Sequence, residues 1–346
     1  NALWKKIKAR AECCSAFFKM FDSRFYLAVR NGYFDFDQSS KCVVLHPECV
    51  SDVKVLSGFN PVFVHRFFPA VRRFVNMGYE HTVQVQGDFD FAVVHVPRSK
   101  VLARNLVWLA TKLAPAGTIL VDGAKTQGIE SLLRDVRKVI TVEGMISRAH
   151  GRLFWLQSSD IFGAWEAVGP ARLPDGYWTQ AGIFSADGID PGSSLLAENL
   201  PKSLSGRIAD LGSGWGYLSQ SIIALPKVTH LDCIEADLAA LDCSRLNCVD
   251  DRITFHWGDA TSWESRHKFD AVVMNPPFHA HRSADPEIGK GFIMAASRLL
   301  RRGGQLWMVA NRQLPYEKPL KEHFVDFNEV AGDNHFKILH AKGPIV

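Results

Sequence analysis

The chain has 346 residues, 47% hydrophobic and 22% charged, a composition that excludes a mainly disordered polymer and, at roughly 150 residues per domain, points to two folded domains. A formal net charge of +4 is compatible with a nucleic-acid partner but far weaker than a dedicated basic tail would give. No apolar run reaches the ~20 residues of a membrane-spanning helix, so no membrane association is expected. The seven cysteines are odd in number, scattered and without a CxxC pair. They read as free thiols in a reducing compartment, and the cytoplasm is the expected address.

In chain order, residues 9–21 have helical apolar spacing and 42–45 read as a short strand, but the first 60 residues carry no recognisable function. From Val83 onward the pattern becomes regular: a strand at 91–96, a helix at 99–113, a Pro-Ala-Gly turn, a strand at 118–121 and a helix at 129–136. Alternating strands and helices predict a parallel sheet with right-handed crossovers, an α/β fold. Residues 163–192, rich in Gly, Pro and aromatics, separate the halves. The second half then predicts strands at 207–211, 230–234, 253–256, 271–274 and 305–309. Helices are expected from Tyr217, at 238–248 and at 289–300, with a terminal hairpin formed by 327–330 and 336–340.

One phrase occurs twice. Phe89-Asp90-Phe91-Ala92-Val93-Val94-His95-Val96-Pro97 is echoed by Phe269-Asp270-Ala271-Val272-Val273-Met274-Asn275-Pro276-Pro277. Each is followed by a helix, a glycine-containing turn and a strand, which predicts an internal duplication of one fold.

The second copy carries the chemistry. Asp210-Leu211-Gly212-Ser213-Gly214-Trp215-Gly216 follows an apolar strand, and glycines there let the backbone turn tightly and approach a ligand without a Cβ in the way. Alone, such a loop is shared by dinucleotide-binding and methyltransferase folds. Glu235 at the next strand end can accept from ribose hydroxyls, and Asp259 after the third strand can accept from an adenine amino group. The ordered set Asp210, Gly212, Gly214, Gly216, Glu235 and Asp259 predicts an S-adenosyl-L-methionine site.

Asn275-Pro276-Pro277-Phe278 ends the fourth strand, at the sheet edge where open α/β folds bind ligands. An amino group on a base is a poor nucleophile because its lone pair is delocalised into the ring. The Asn275 side-chain oxygen and the Pro276 carbonyl can each accept one of its N–H groups, which favours a pyramidal nitrogen with its lone pair aimed at a sulfonium methyl. The prolines lack N–H groups and fix φ, holding the acceptors rigidly. Phe278 can stack on the base. Asn275, Pro276 and Phe278 are the expected catalytic residues of a transfer to nitrogen. The His279-x-His281 pair has no further ligands at suitable spacing, so no metal is expected.

The second half, from Gly176 onward, also resembles the RsmC/RlmG-type ribosomal RNA (guanine-N2) methyltransferases. The likeness is carried by the stretch from Ala181 to Ser193 with its Gly182-Ile183-Phe184-Ser185, by the glycine loop and Asn-Pro-Pro-Phe, and by Ala310-Asn311-Arg312-Gln313-Leu314-Pro315-Tyr316. The resemblance implies two tandem class I (Rossmann-like) methyltransferase domains. Residues 1–162 would be a degenerate copy serving RNA docking or structure, and 163–346 the catalytic domain. It implies Phe184 and Ser185 near the cofactor and, as target, a guanine of small-subunit (16S) ribosomal RNA, met in a small-subunit particle by a monomer.

In the first copy no glycine loop precedes Val96-Pro97, which stand where Asn275-Pro276 stand in the second. Residues 1–60 depart from the family pattern, so altered or truncated first strands are expected there. Lys5, Lys6, Lys8, Arg10, Arg66, Arg72 and Arg73 are candidates for phosphate contacts. Adenine N6, a protein glutamine amide, and a non-catalytic RNA-binding or ribosome-assembly role are the alternatives left open.

Overall fold

The computed structural model describes residues 23–345 except 35, 38, 48–54, 168, 278, 281–282 and 285. The predicted helix at 9–21, Lys5, Lys6, Lys8 and Arg10, Phe278 and His281 lie outside the described residues. The chain divides into two compact units, Asn1–Arg66 with Ala70–Val168, and Phe67–Pro69 with Gly169–Val346.

The first unit contains β1 (Cys42–Leu45), β2 (Val62–Val64), β3 (His81–Thr82), β4 (Phe91–His95), β5 (Thr118–Ala124), β6 (Gly144–Arg148) and β7 (Gly151–Gln157). They form one sheet in the order β3-β2-β1-β4-β5-β7-β6. Only β7 runs antiparallel to its neighbours β5 and β6. Alternation along each strand sends side chains to opposite faces. Val43, Leu45, Ala92, Val94, Ile119 and Val121 pack against the helices Lys100–Leu113 and Ile129–Val136. Cys42, Val44, Phe63, Phe91, Val93 and Leu120 fill the other face with Phe25, Tyr26 and Phe74. Each Val, Leu, Ile or Phe among them, fully buried, contributes about 1.5–3 kcal/mol. The first strands keep their places in a complete seven-stranded order but are short, with 4, 3 and 2 residues in β1, β2 and β3.

The second unit repeats the arrangement with β10 (Ser205–Leu211), β11 (Lys227–Glu235), β12 (Ile253–Trp257), β13 (Phe269–Met274), β16 (Leu300–Asn311), β17 (Phe324–Gly332) and β18 (Phe336–Pro344). Their order is β12-β11-β10-β13-β16-β18-β17, with β18 antiparallel to β16 and β17. Two small hairpins, β8 (Ala171–Arg172) with β9 (Trp178–Thr179) and β14 (His279–Ala280) with β15 (Ser283–Ala284), lie outside this sheet. Position for position, the two large sheets share one strand order and one pattern of parallel and antiparallel pairs. This is the duplication that the repeated phrase predicted.

Register identifies equivalent positions. Leu45 pairs with both Val64 and Val94, as Leu211 pairs with Ile234 and Met274. The next residues along each strand therefore correspond: His46 to Gly212, His65 to Glu235 and His95 to Asn275. His46 N donates to Val64 O at 2.9 Å, just as Gly212 N donates to Ile234 O at 2.8 Å, and both residues have positive φ, 56° and 75°. The sequence alignment that set Val96-Pro97 against Asn275-Pro276 is thus one residue out. His95 holds the asparagine position, and the His46 and His65 rings stack at 4.5 Å where the second unit has an open loop.

Candidate active site

The strand order of the second unit reverses between β10 and β13, which makes their carboxyl ends the expected ligand crevice. Leu211 and Met274 are register partners, so the glycine loop and Asn275 leave the sheet side by side. A cavity opens there, lined by Gly212, Ser213, Gly214 and Asn275, by Phe184 and Ser185, and by Asp190 and Ser193, with Trp215, Tyr217 and Leu218 behind.

The loop is held by its backbone. Gly212 N and Ser213 N both donate to Ile234 O, at 2.8 and 3.1 Å. Gly214 has φ of 56°, and nothing lies within 4 Å of where its Cβ would stand. Glu235 accepts from Gly214 N at 2.8 Å and from Asp237 N at 2.7 Å, one bond to each carboxylate oxygen. Burial raises the Glu235 carboxyl to about 7, against the pull of these two bonds. Gly258 N donates to Glu235 O at 2.9 Å, bringing Asp259 beside this strand end. Asp259 Oδ1 accepts from Thr261 N and Thr261 Oγ1 at 2.9 and 2.7 Å, so its own turn orients the carboxylate.

Of the predicted cofactor residues, Asp210, Gly216, Glu235 and Asp259 do not line this cavity, and the first two have structural contacts of their own. Asp210 is fully buried and absent from the cavity wall. Its Oδ2 accepts from Ser219 Oγ at 2.6 Å, while Oδ1 makes no hydrogen bond among the described residues. Burial, with the nearby Glu235 carboxylate adding to it, pushes Asp210 up to about 7. Gly216 caps the helix Tyr217–Ile223 with φ of 95°, and a Cβ there would come within 2.7 Å of Ser244 Oγ and 2.8 Å of Cys248 Sγ. That glycine is required by helix packing, not by the cavity.

Asn275 is tied down on one side only. Its Nδ2 donates to Asp190 Oδ2 and to Ser193 Oγ, both at 2.8 Å. Asp190 also caps the helix Pro191–Asn199 by accepting from Ser193 N at 2.8 Å. Pro276 is buried. Phe184 is 57% exposed at the rim, and the Ser185 hydroxyl closes its loop onto Gly188 O at 2.7 Å. Leu314 and Tyr316 belong to the same apolar cluster as the strand ends Leu211 and Met274. Tyr316 is fully buried, and a Cβ on Gly289 of the helix Pro286–Leu299 would overlap its ring.

Asp190, Ser193, Ser213, Trp215, Tyr217 and Leu218 were missed as site residues. Asp190-Pro191 has the signature of a helix cap followed by proline at the first position, a signal that could have placed this helix start at the cavity. No group of three or more His, Cys, Asp or Glu that could hold a metal ion occurs among the described residues.

Sheet order, glycine loop and strand-end asparagine define a class I methyltransferase, and residues 176–340 match the family called methyltransferase small domain. The ribosomal RNA small subunit methyltransferase C of Shewanella piezotolerans is 31% identical over 283 residues, covering 78% of this chain and 82% of that protein. Its counterpart in Shewanella amazonensis is 31% identical over 270 residues, covering 73% and 77%. The chain belongs to the ribosomal RNA small subunit methyltransferase C family. The structure of the T. thermophilus 16S rRNA N2 G1207 methyltransferase (RsmC) in complex with AdoMet and guanosine shares the fold, with a TM-score of 0.76 over 88% of each chain at 23% identity.

Proposed function

We propose that the chain transfers the methyl group of S-adenosylmethionine to the exocyclic N2 of a guanine in small-subunit (16S) ribosomal RNA, with the chemistry confined to the second unit. The observation that carries this reading is the meeting, at one strand edge, of an amide acceptor on Asn275 with a glycine loop braced by Glu235. The T. thermophilus relative, which holds AdoMet and guanosine, supports both the cofactor and the base.

The cofactor, when bound, supplies an electrophilic methyl on sulfonium. Glu235 and Asp259 would accept from its ribose hydroxyls and adenine amino group, and Gly212 and Gly214 would let its amino-acid end approach the backbone. Ser213, whose buried hydroxyl makes no hydrogen bond among the described residues, adds a donor to that wall. Asn275 Oδ1 and the Pro276 carbonyl accept the two amine N–H groups of guanine, and the nitrogen sheds a proton after the new bond has formed. Phe184 at the rim offers a face for the base, as the sequence assigns to Phe278. Asp210 acts from beneath as a buried support of the loop.

The first unit serves as the RNA-docking half, with Arg66, Arg72 and Arg73 as candidate phosphate contacts, and the chain acts as a monomer on a small-subunit particle in the cytoplasm. Among the described residues no helix is long and apolar enough to cross a membrane. A guanine in a duplex must be flipped out or met unpaired. The test is incubation with labelled cofactor and undermethylated small subunits, followed by nucleoside analysis. N2-methylguanosine is expected; label in N6-methyladenosine or in protein would overturn the substrate.

Cofactor affinity should depend on pH through Glu235. Its carboxyl stands at about 7 before binding, and only the ionised form can accept from both hydroxyls. Below that value binding must expel a proton, so affinity should fall roughly tenfold per pH unit from 7 down to 5.5 and level off above. Calorimetry across that range checks it, with Glu235→Gln weak and flat. A flat wild-type profile would remove Glu235 from the cofactor site.

A further inference from the structure

We propose that Asp190 and Ser193 are positioning residues that lock the Asn275 amide with its oxygen toward the incoming amine, an inference that rests on Asn275 being the amine acceptor. The two ends of an asparagine amide have nearly the same shape, and only one orientation serves the reaction. Hydrogen-bond partners decide which one is present. Asp190 Oδ2 already accepts from Ser193 N, a group that can only donate. Whatever Asn275 turns toward that oxygen must therefore be its NH2, as the 2.8 Å contact from Nδ2 requires. The second amide hydrogen is taken by Ser193 Oγ, which is buried, at 2.8 Å.

Both donors of Asn275 are thus used on one side, and Oδ1 is left for the cavity. With the amide reversed, its NH2 would point at the nucleophilic nitrogen and compete for the lone pair. A negative partner on the amide hydrogens also draws electron density toward Oδ1, making it a better acceptor as the amine becomes positive in the transition state.

The helix start is built for this contact. Asp190 is the cap of Pro191–Asn199, and a side chain on Gly192 would bring its Cβ to 3.1 Å from both Asp190 Oδ2 and the Phe336 ring. One carboxylate oxygen fixes the first turn and the asparagine together. A residue three positions before Ser193 and far from Asn275 in sequence is in this way made part of the transfer step.

The test uses the full chain with undermethylated small subunits. Asp190→Ala removes the one oxygen that Ser193 N and Asn275 Nδ2 share, releasing the amide at a cost of about 1 kcal/mol in helix capping. Its single-turnover rate constant should fall on the order of 10²-fold, with the cofactor Kd and the KM for particles nearly unchanged. Ser193→Ala should lose about tenfold in the same constant, with Ser193→Thr restoring it. A wild-type rate constant in both Asp190→Ala and Ser193→Ala would overturn the proposal. So would a loss of cofactor affinity matching the loss of rate, since it would make these residues part of the cofactor site. If Asp190→Ala does not fold, as judged by its thermal melt, the Ser193 pair decides alone. A wild-type enzyme that leaves guanine N2 unmodified would instead refute the acceptor reading itself.

Discussion

Replacing Asn275 by Ala should lower methyl transfer by on the order of 10²–10³-fold or more while leaving cofactor affinity nearly intact. The asymmetry follows from where the residue sits. Its Nδ2 is spent on Asp190 and Ser193, so the contribution to the reaction is the single oxygen facing the cavity. The ribose and adenine contacts are proposed for Glu235 and Asp259, on neighbouring strand ends. Alanine removes the acceptor that holds the amine and stabilises positive charge growing on it, an interaction strongest in the transition state. Single-turnover transfer to small subunits gives the rate, and calorimetry gives the affinity. Turnover close to wild type would place the acceptor elsewhere.

The second large effect is on stability. Asp210 is fully buried with its carboxyl raised to about 7, whereas in the unfolded chain it titrates at the ordinary carboxylate value. Its contribution is fully present below that ordinary value and is lost as pH rises through about 7. A shift of this size corresponds to at most about 4 kcal/mol. Asp210→Asn should therefore reduce the pH dependence of unfolding between pH 4 and 7, leaving the part due to Glu235, since an amide still accepts from Ser219 Oγ and has no charge to bury. Denaturant titrations of both proteins across that range measure the difference. Parallel curves would show that Asp210 keeps its ordinary pKa. The first unit responds with the opposite sign: burial lowers His65 to about 3 and His46 to about 4. Their contribution is present above about 6.5 and is lost as pH falls toward those values.

Regular periodicity made the second sheet legible but only part of the first, where the strands Val62–Val64, His81–Thr82, Gly144–Arg148 and Gly151–Gln157 were not foreseen. The strands at 42–45 and 91–96 and the helices at 99–113 and 129–136 correspond to Cys42–Leu45, Phe91–His95, Lys100–Leu113 and Ile129–Val136. Termini were harder: the helix expected at 289–300 runs Pro286–Leu299, and the strand expected at 305–309 extends over Leu300–Asn311. The charged Arg301-Arg302 and the glycines after them conceal a strand that is exposed at 301–303. The helix Glu317–His323 was missed because seven largely polar residues give little apolar period.

At the site, Phe184, Ser185, Gly212, Gly214 and Asn275 were legible because each is a residue type with a local chemical reason. Asp210 and Gly216 were assigned to the cofactor because a motif records which residues recur and not which way they point. Asp190 and Ser193 stayed hidden because a cap residue explains itself locally. Its second bond, to a residue on another strand, exists only in three dimensions.

Two sheets with the same wiring in one polypeptide also set a kinetic problem. A nascent β13 carries a phrase close enough to that of β4 to pair beside β1, and strands exchanged between copies are a characteristic failure of repeated domains. Chain order works against the exchange, because every strand of the first sheet, through Gln157, precedes β10 at Ser205. During synthesis the amino-terminal sheet can close its edges before its double leaves the ribosome. Refolding from denaturant forfeits that head start, so yield from dilution should be poorer than from translation, and the separated copies should refold more cleanly than the tandem.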